Sequence, residues 1–470
     1  MILLDSLFRI NDFIVVPICF VVLLMFFSII VNKYKDDKIK KLFIKAFFFK
    51  MTCTLLFALV NTFYYNGGDS EMYFFCTEYL QKAVTENSDN FYTIYTTKAI
   101  NIKSSLMDYF IYHDTGYPVF EAMHDPGNFM VPKLGLPVML LFGNSYIAIA
   151  MFFSFFALGG AIRLFKFFYH YYPQYWREIA LATLFLPSAS YWSSGVMKDP
   201  ICFGAVGYIL YGVFNIFILK KRVLISIVFI AICSVLLFYI KPYILLALAP
   251  SIVLWLFGEI NKSVENKTLR SIMSVLTFIA GAIMALLLVN YVTSDESLKS
   301  FRIDAIVETS SYNRALYDDF SKTSEGSYYS VGTSNPILLI PNGIIATLFR
   351  PFIWEINGAT AMMSALEAFF FFYLTLYFIF KKGFFTFFRT AFKSPVLLMC
   401  FIFSIVFAMA IGSTALNFGS LSRYKIPCLP FYLIMVMVMI RQANLPYPKW
   451  LKRILGYEVY QKPVDTTLLS

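Results

Sequence analysis

The sequence predicts an all-α, polytopic integral membrane helical bundle of about 11 transmembrane helices, and three observations carry that expectation. Of its 470 residues, 59% are hydrophobic and only 14% are charged, where soluble domains carry roughly 25% charged residues. Mean hydropathy is +0.68, and apolar runs recur along nearly the whole chain at about the 20-residue length that crosses a bilayer. Between those runs, lysines and arginines fall in alternate linkers, as a fixed orientation in a membrane requires.

Taken in order, the expected spans lie near residues 13–31, 46–65, 137–162, 179–194, 200–219, 223–240, 243–258, 271–292, 359–380, 395–412 and 426–440. The opening "MILLDSLFRINDF" lacks the basic segment and small-residue cleavage site of a signal peptide, so the first span is expected to stay. Linker 32–45 holds Lys33, Lys35, Lys38, Lys40, Lys41 and Lys45. Further basic clusters are Arg163/Lys166/Arg177, Lys220/Lys221/Arg222, Lys262/Lys267/Arg270, Lys381/Lys382/Arg389/Lys393 and Arg441/Lys449/Lys452/Arg453. In an eleven-span count all of them share one side, which makes that side the cytoplasm, the N-terminus external and the C-terminus internal. Residues 1–440 then form the transmembrane domain and 441–470 a cytoplasmic tail. The net charge of +11 reads as topology, and no nucleic-acid partner is expected.

The external linkers differ in character. Two are long, 66–136 and 293–358, and the first carries nine acidic residues against four lysines. Loops of that length without structure are unusual. Amphipathic stretches such as "PILLIPNGIIATLFRPFIW" (336–354) are expected to lie along the membrane or re-enter it, building an extracytoplasmic cap. Six of the seven cysteines sit in or beside apolar runs and only Cys76 looks exposed, so neither a disulfide framework nor a zinc spacing is expected. With His113, His124 and His170 as the only histidines, no metal or other cofactor is expected.

Polar groups then mark candidate chemistry on the external side. In "YYNGGDSEMYF", Gly67 and Gly68 allow a sharp bend that places Asp69 and Glu71 at the head of a following helix, where Asp69 could equally be a simple cap. "SYWSSGVMKDP" sets Lys198 and Asp199 after small residues beneath Trp192, an aromatic suited to the interface; the plainer alternative is a turn with a neutralised ion pair. Lys241 in "YIKPYILL" can snorkel to headgroups or hold a lipid phosphate. Arg350 lies in an aromatic bed with Trp354 and is followed by Glu355, while Glu367 falls inside the next span, where a carboxylate needs a partner or an aqueous cavity. Arg423 and Lys425 in "NFGSLSRYKIPCLPF" put two cations on the side where orientation disfavours them.

Each of these has a bland explanation, yet together they predict one shared external site of several cations and at least one carboxylate. Cations facing a lipid surface suit phosphate, with Arg offering a bidentate fork and Lys a point charge. A neighbouring carboxylate suits general-base work on a hydroxyl. Glycosyl transfer from a lipid-linked phosphosugar combines both needs without a metal.

The layout of "GGDSEMYF", a long first external loop, "LPSASYWSSGVMKD", "LFRPFIWE" with "SALE", and "NFGSLSRYKIPCLPF" resembles bacterial polytopic proteins of surface-polysaccharide loci. That group is similar to polyprenyl-phosphate-dependent GT-C glycosyltransferases and to Wzy- or EpsG-type polymerases. The resemblance implies a GT-C-like fold in the bacterial inner membrane, a polyprenyl-phosphate-linked sugar donor, a glycan or lipid-linked acceptor, and a site on the extracytoplasmic face. It implies that Asp69, with Glu71 nearby, is catalytic and that Arg423 lies near the donor phosphate; from the charges alone Lys198, Lys241, Arg350 and Lys425 are expected to bind the phosphate with it. Asp199, Trp192, Trp354, Glu355 and Glu367 would be supporting residues. In place of an Asp-x-Asp pair the chain has Asp69-Ser70-Glu71, so which carboxylate is the base stays open. A transporter or flippase for lipid-linked oligosaccharide and a non-catalytic envelope scaffold are the alternatives; repeated halves, the usual mark of the former, are not visible.

Overall fold

Eight helices of the computed structural model are long and apolar enough to cross a membrane, or nine if one bent pair counts as a single span. The structure describes residues 7–457 apart from 66, 102–103, 112–118, 263–267, 269–335, 356–358 and 416. Among these residues the extended elements are all helical, and the chain is a helical multi-pass bundle. It begins with α1 (Asp12–Val31) and α2 (Asp37–Phe63). A cap segment follows, made of α3 (Gly68–Glu86), α4 (Asn90–Thr96), α5 (Asp108–Ile111), α6 (Val119–Ala122) and α7 (Pro126–Phe142). Then come α8 (Tyr146–Tyr171), the short α9 (Trp176–Leu184) and α10 (Pro187–Trp192), α11 (Lys198–Phe214) with a terminal π turn, α12 (Val223–Ile240) and α13 (Pro242–Asn261). The last part holds α14 (Pro336–Phe349), α15 (Ala359–Lys382), α16 (Phe384–Ala391), α17 (Pro395–Thr414), α18 (Phe418–Tyr424), α19 (Leu429–Gln442) and α20 (Lys449–Ile454).

Local signals explain the helix starts. Asp36, Asp125, Ser145 and Asn417 each accept a backbone N–H from the first turn of α2, α7, α8 and α18, which satisfies donors that have no partner within the helix. Prolines open α10, α13 and α17, where a missing N–H costs nothing. Inside the bundle, glycines let backbones touch. A Cβ on Gly160 of α8 would lie 2.4 Å from the Gly204 carbonyl oxygen of α11, and one on Gly412 of α17 would meet the Gly343 carbonyl of α14. Lipid tails are as apolar as leucine, so such close backbone packing is a main source of helix association.

Contacts between distant segments define two ends. At one, Ser145 Oγ donates to Asp12 Oδ1 at 2.5 Å, Asn144 Nδ2 donates to Glu78 at 2.9 Å, and Gly127 abuts the Tyr239 carbonyl. Helices α3 and α7 therefore sit over the starts of α1 and α8 and the finish of α12. At the other end Arg177 Nη1 donates to the Gly456 carbonyl at 2.6 Å, Arg441 Nε lies 3.5 Å from Glu178, and Tyr172 bonds Ser394 at 3.0 Å. The basic linkers gather there. Residues 441–457 also return to the bundle, with Tyr447 and Leu451 buried.

Several expectations need correction. The span expected at 137–162 is divided: α7 stops at Phe142, Gly143 takes φ +71°, and Ser145 caps α8. The break is Gly143-Asn144-Ser145, a turn-type triplet that a span-length average of hydropathy passes over. The span expected at 179–194 is two short helices, because Pro187 cannot continue the hydrogen-bond ladder of α9. Helix α2 starts earlier than 46, at Asp37, since its lysines continue the helix behind the Asp36 cap. The segment expected at 426–440 belongs to the bent pair α18–α19, which meet at 70°. Cys76 is buried on the inward stripe of α3 with Tyr73, Phe74 and Leu80. The span expected at 271–292, residues 293–335 of the second long linker, and His113 lie outside the described residues.

Gly160→Val forces a side chain against backbone that has no rotamer to yield. It is expected to cost about 1–3 kcal/mol, read as a lower melting midpoint of the detergent-purified chain, while the exposed Leu224 of α12 tolerates Ala without a shift.

Candidate functional site

The turn between α2 and α3 is built by Asn61, whose Nδ2 donates to the Gly67 carbonyl at 2.6 Å while its own carbonyl accepts the Gly67 N–H at 2.9 Å. Gly67 and Gly68 take φ +95° and +59°, a left-handed region that L side chains avoid. The Glu71 carboxylate folds back over Gly67, filling the place a Cβ would take. Asp69 and Glu71 thus stand in the first turn of α3. Asp69 is more than a cap: its Oδ2 accepts from Arg423 Nη1 at 3.1 Å.

Arg423, at the finish of α18, also directs Nε to Asp199 Oδ2 at 3.4 Å. Asp199 lies in the first turn of α11, where the positive helix end favours a carboxylate, and its side chain is 2% exposed. Its other oxygen takes Lys241 Nζ at 2.5 Å. Lys241 occupies the turn between α12 and α13; Pro242 holds it in extended backbone, φ −151° and ψ 76°. Its ammonium lies 4.1 Å from the Tyr424 ring centroid. Burial alone would lower the Lys241 pKa, but the Asp199 carboxylate overrides it and holds the ammonium above the usual lysine range. Lys241 therefore does not snorkel to the surface. Four segments widely separated in sequence meet in the chain Asp69–Arg423–Asp199–Lys241.

Lys198 and Asp199 do not neutralise each other. Lys198 Nζ turns to Asp125 Oδ2 at 2.8 Å, leaving Asp125 Oδ1 to cap α7 through the Gly127 N–H. Beside them the Tyr73 hydroxyl donates to Asn128 Oδ1 at 2.6 Å, and burial first, then the Asp69 charge, raise its pKa well above the ordinary phenol range.

A second group adjoins the first through Lys425, two residues beyond Arg423. Lys425 Nζ donates to the Arg350 carbonyl at 3.0 Å. The Arg350 guanidinium is held by Glu355, with Nε 3.1 Å from each carboxylate oxygen, and it lies 5.3 Å from the Phe418 ring centroid. Trp354 stacks on Phe352 and remains 81% exposed. Glu367, deep in α15, takes both the N–H of Ser188, at 3.1 Å, and its hydroxyl, which supplies the partner a carboxylate in a span requires. Trp192 is buried against Phe57 and Tyr191, not placed at an interface, and its indole N–H has no partner among the described residues.

Lys50 carries no signal in the sequence beyond a lysine within an apolar run. Its Nζ donates to the carbonyls of Ser190 and Ser193 at 2.8 and 2.7 Å and to Ser193 Oγ. Helix α10 is therefore bracketed by Glu367 at its N-terminal end and Lys50 at its C-terminal end, each sign matched to the helix dipole. Tyr424 and Asn128 are likewise unmarked, and Asp125 shows in the sequence only as the Asp-Pro-Gly of a capping turn.

Among the described residues no group of three or more His, Cys, Asp or Glu side chains is placed to ligate a metal ion. Within the chain Asp69–Arg423–Asp199–Lys241, Asp69 is the most exposed member, 55% at its side chain against 20% for Arg423. Comparison of the chain with protein-family models, with curated proteins and with solved structures finds no match.

Removing one partner of a buried pair strands the other charge, at about 3–5 kcal/mol. Asp199→Asn and Lys241→Met should each lower the melting midpoint strongly, and the double substitution should lose clearly less than the sum of the two, as a double-mutant cycle on purified protein would read.

Proposed function

We propose that the chain is a membrane glycosyltransferase or polysaccharide polymerase that moves a sugar from a polyprenyl-phosphate-linked donor to a glycan or lipid-linked acceptor at the Asp69–Arg423 end of the bundle. In this reading that end faces the extracytoplasmic side of a bacterial inner membrane and the basic linkers face the cytoplasm. One observation supports it most: a half-exposed carboxylate rests on a guanidinium that a buried acid already holds from behind.

The chemistry follows from unequal hold. The Asp69–Arg423 pair is open to water, where such pairs contribute about 0–1 kcal/mol, whereas Asp199 grips Nε from a buried position. A donor phosphate can displace Asp69 from Nη1 without freeing the arginine, and the released Asp69 then accepts the proton of the acceptor hydroxyl. The acceptor oxygen bonds the anomeric carbon as the bond from that carbon to the phosphate oxygen breaks. The electron pair leaves with the polyprenyl phosphate, whose charge Arg423 stabilises. Glu71, turned over Gly67, is a poorer candidate for the base than Asp69.

A second reading, a flippase for lipid-linked oligosaccharide, draws on the broken α9–α10 segment with Lys50 and Glu367 inside the bundle, since discontinuous helices with polar groups at depth are a feature of transporters.

Asp69→Asn keeps size and polarity at an exposed position and should leave insertion and melting unchanged while lowering glycan extension by about 10²–10⁴-fold. The assay follows lengthening of a glycan acceptor in proteoliposomes supplied with a radiolabelled polyprenyl-phosphate-linked sugar. Arg423→Lys should raise the donor KM as well as lower the rate, because the fork is lost. Undiminished extension by Asp69→Asn removes Asp69 as the base; transbilayer movement of the donor without any extension by the unsubstituted chain favours the flippase.

A further inference from the structure

At the end of the bundle opposite Asp69, a groove of about 330 Å³ opens between α1 and α12 over a floor of α8 and α11. Three cations line it, Arg163, Lys166 and Arg222, and no Asp or Glu is among the lining residues. Among the described residues none of the three has a carboxylate in ion-pair range. Arg163 and Lys166 are held instead by aromatic faces. The Arg163 guanidinium lies 3.9 Å from the Tyr208 ring centroid and gives one hydrogen bond, from Nη1 to the Gly159 carbonyl at 2.9 Å. Lys166 Nζ lies 4.7 Å from the Tyr211 ring and 5.4 Å from that of Tyr34. Both cations project from one face of α8, a turn apart.

The outer walls are of another kind. Phe26 and Ile30 of α1 and Ile225 and Phe229 of α12 are exposed, in the two spans of highest hydropathy. The groove therefore grades from a cationic floor to apolar walls that face the bilayer. Its rim is strained: Lys220 and Arg222, neither of them glycine, both take φ 52°, and α11 finishes in the π turn Asn215–Leu219. Such backbone gathers at functional sites. Asn215 Nδ2 reaches Ser226 Oγ at 3.3 Å in the first turn of α12, whose N-terminal dipole adds positive potential to the same place.

We infer that this groove binds the phosphate headgroup of one anionic membrane lipid, drawn from the leaflet at the basic end, with an acyl chain along Phe26, Ile30, Ile225 and Phe229. Arg163 supplies a fork for phosphate oxygens and Lys166 a point charge, and unpaired cations within a membrane boundary select anionic headgroups. The site is independent of the one at Asp69, so either reading can fail without the other.

The test uses the full chain reconstituted with equal parts phosphatidylglycerol and phosphatidylcholine, then released for native mass spectrometry. The unsubstituted chain should retain phosphatidylglycerol in preference, and Arg163→Gln combined with Lys166→Gln should weaken that retention about thirtyfold. Arg177→Gln, at a cation stacked on Tyr457 away from the groove, should retain it. In a parallel measurement on the unsubstituted chain, the melting midpoint should rise with phosphatidylglycerol and not with phosphatidylcholine, which keeps the inference open to refutation if the double variant fails to fold. Equal retention of both lipids, unchanged retention by the double variant, or equal melting in both lipids overturns it. Displacement of the lipid by millimolar glycerol phosphate or inorganic phosphate assigns the site to a soluble anion and overturns the lipid; persistence of the lipid supports it.

Discussion

A buried carboxylate between two cations organises this molecule. Asp199 cannot be charged in a low-dielectric interior unless it is paired, and its two oxygens take Lys241 and Arg423. That requirement ties the start of α11 to the α12–α13 turn and to the finish of α18, three places that the chain reaches at very different times. The trio carries one positive charge in excess, since one acid faces two bases. Asp69 supplies the missing negative charge from the rim, through the Nη1 that Asp199 leaves unused. The geometry thus distinguishes a buried anion from a half-exposed one, and the proposed chemistry depends on that distinction more than on the number of cations nearby.

The half-exposed Asp69 is nonetheless held in register. Ser70, next to Asp69, places its Oγ 2.7 Å from the Tyr146 hydroxyl and donates to the Val196 carbonyl at 3.1 Å. Val196 belongs to the link between α10 and α11, so the backbone bearing Asp69 is tied to the backbone that leads into Asp199. Upstream, α10 is pinned by Glu367 and Lys50 at its two ends. A short helix without continuous neighbours in its own span would otherwise leave backbone groups unsatisfied in an apolar interior. Positioning of this kind, from packed and hydrogen-bonded supports, is what a site needs to hold two groups at a fixed separation.

How much of this is legible in the sequence depends on the kind of signal. Asp69, Asp199, Lys241 and Arg423 stand out because charges at the ends of apolar runs are few, and their gathering at one end follows from counting spans. Their partners are not legible. Lys198 and Asp199 are neighbours and look like a pair, but consecutive residues at a helix start point in different directions, so each finds an acid or base far along the chain, Asp125 and Lys241 respectively. Lys50 is hidden for another reason: its partners are backbone carbonyls of Ser190 and Ser193, which leave no mark on residue identity. The breaks at Gly143–Ser145 and at Pro187 lie inside runs whose average hydropathy is unaffected by them, and Trp192, an interface residue by type, is buried because the broken α9–α10 segment folds inward against Phe57.

The two ends of the bundle also separate two meanings of a basic residue in a membrane protein. At the Asp69 end, Lys198, Lys241, Arg350 and Arg423 each lie in ion-pair contact with a carboxylate. Their formal charge is cancelled locally, so they exert little net attraction on a distant anionic surface. At the opposite end Arg163 and Lys166 rest on tyrosine rings, which stabilise a cation without cancelling its charge. An orientation rule that counts lysine and arginine treats the two sets alike, and the cations of the Asp69 end then look like exceptions to it. Counted by uncancelled charge those four are not: they are available only to a ligand that can replace their carboxylates, while Lys425 beside them donates to the Arg350 carbonyl and forms no ion pair among the described residues.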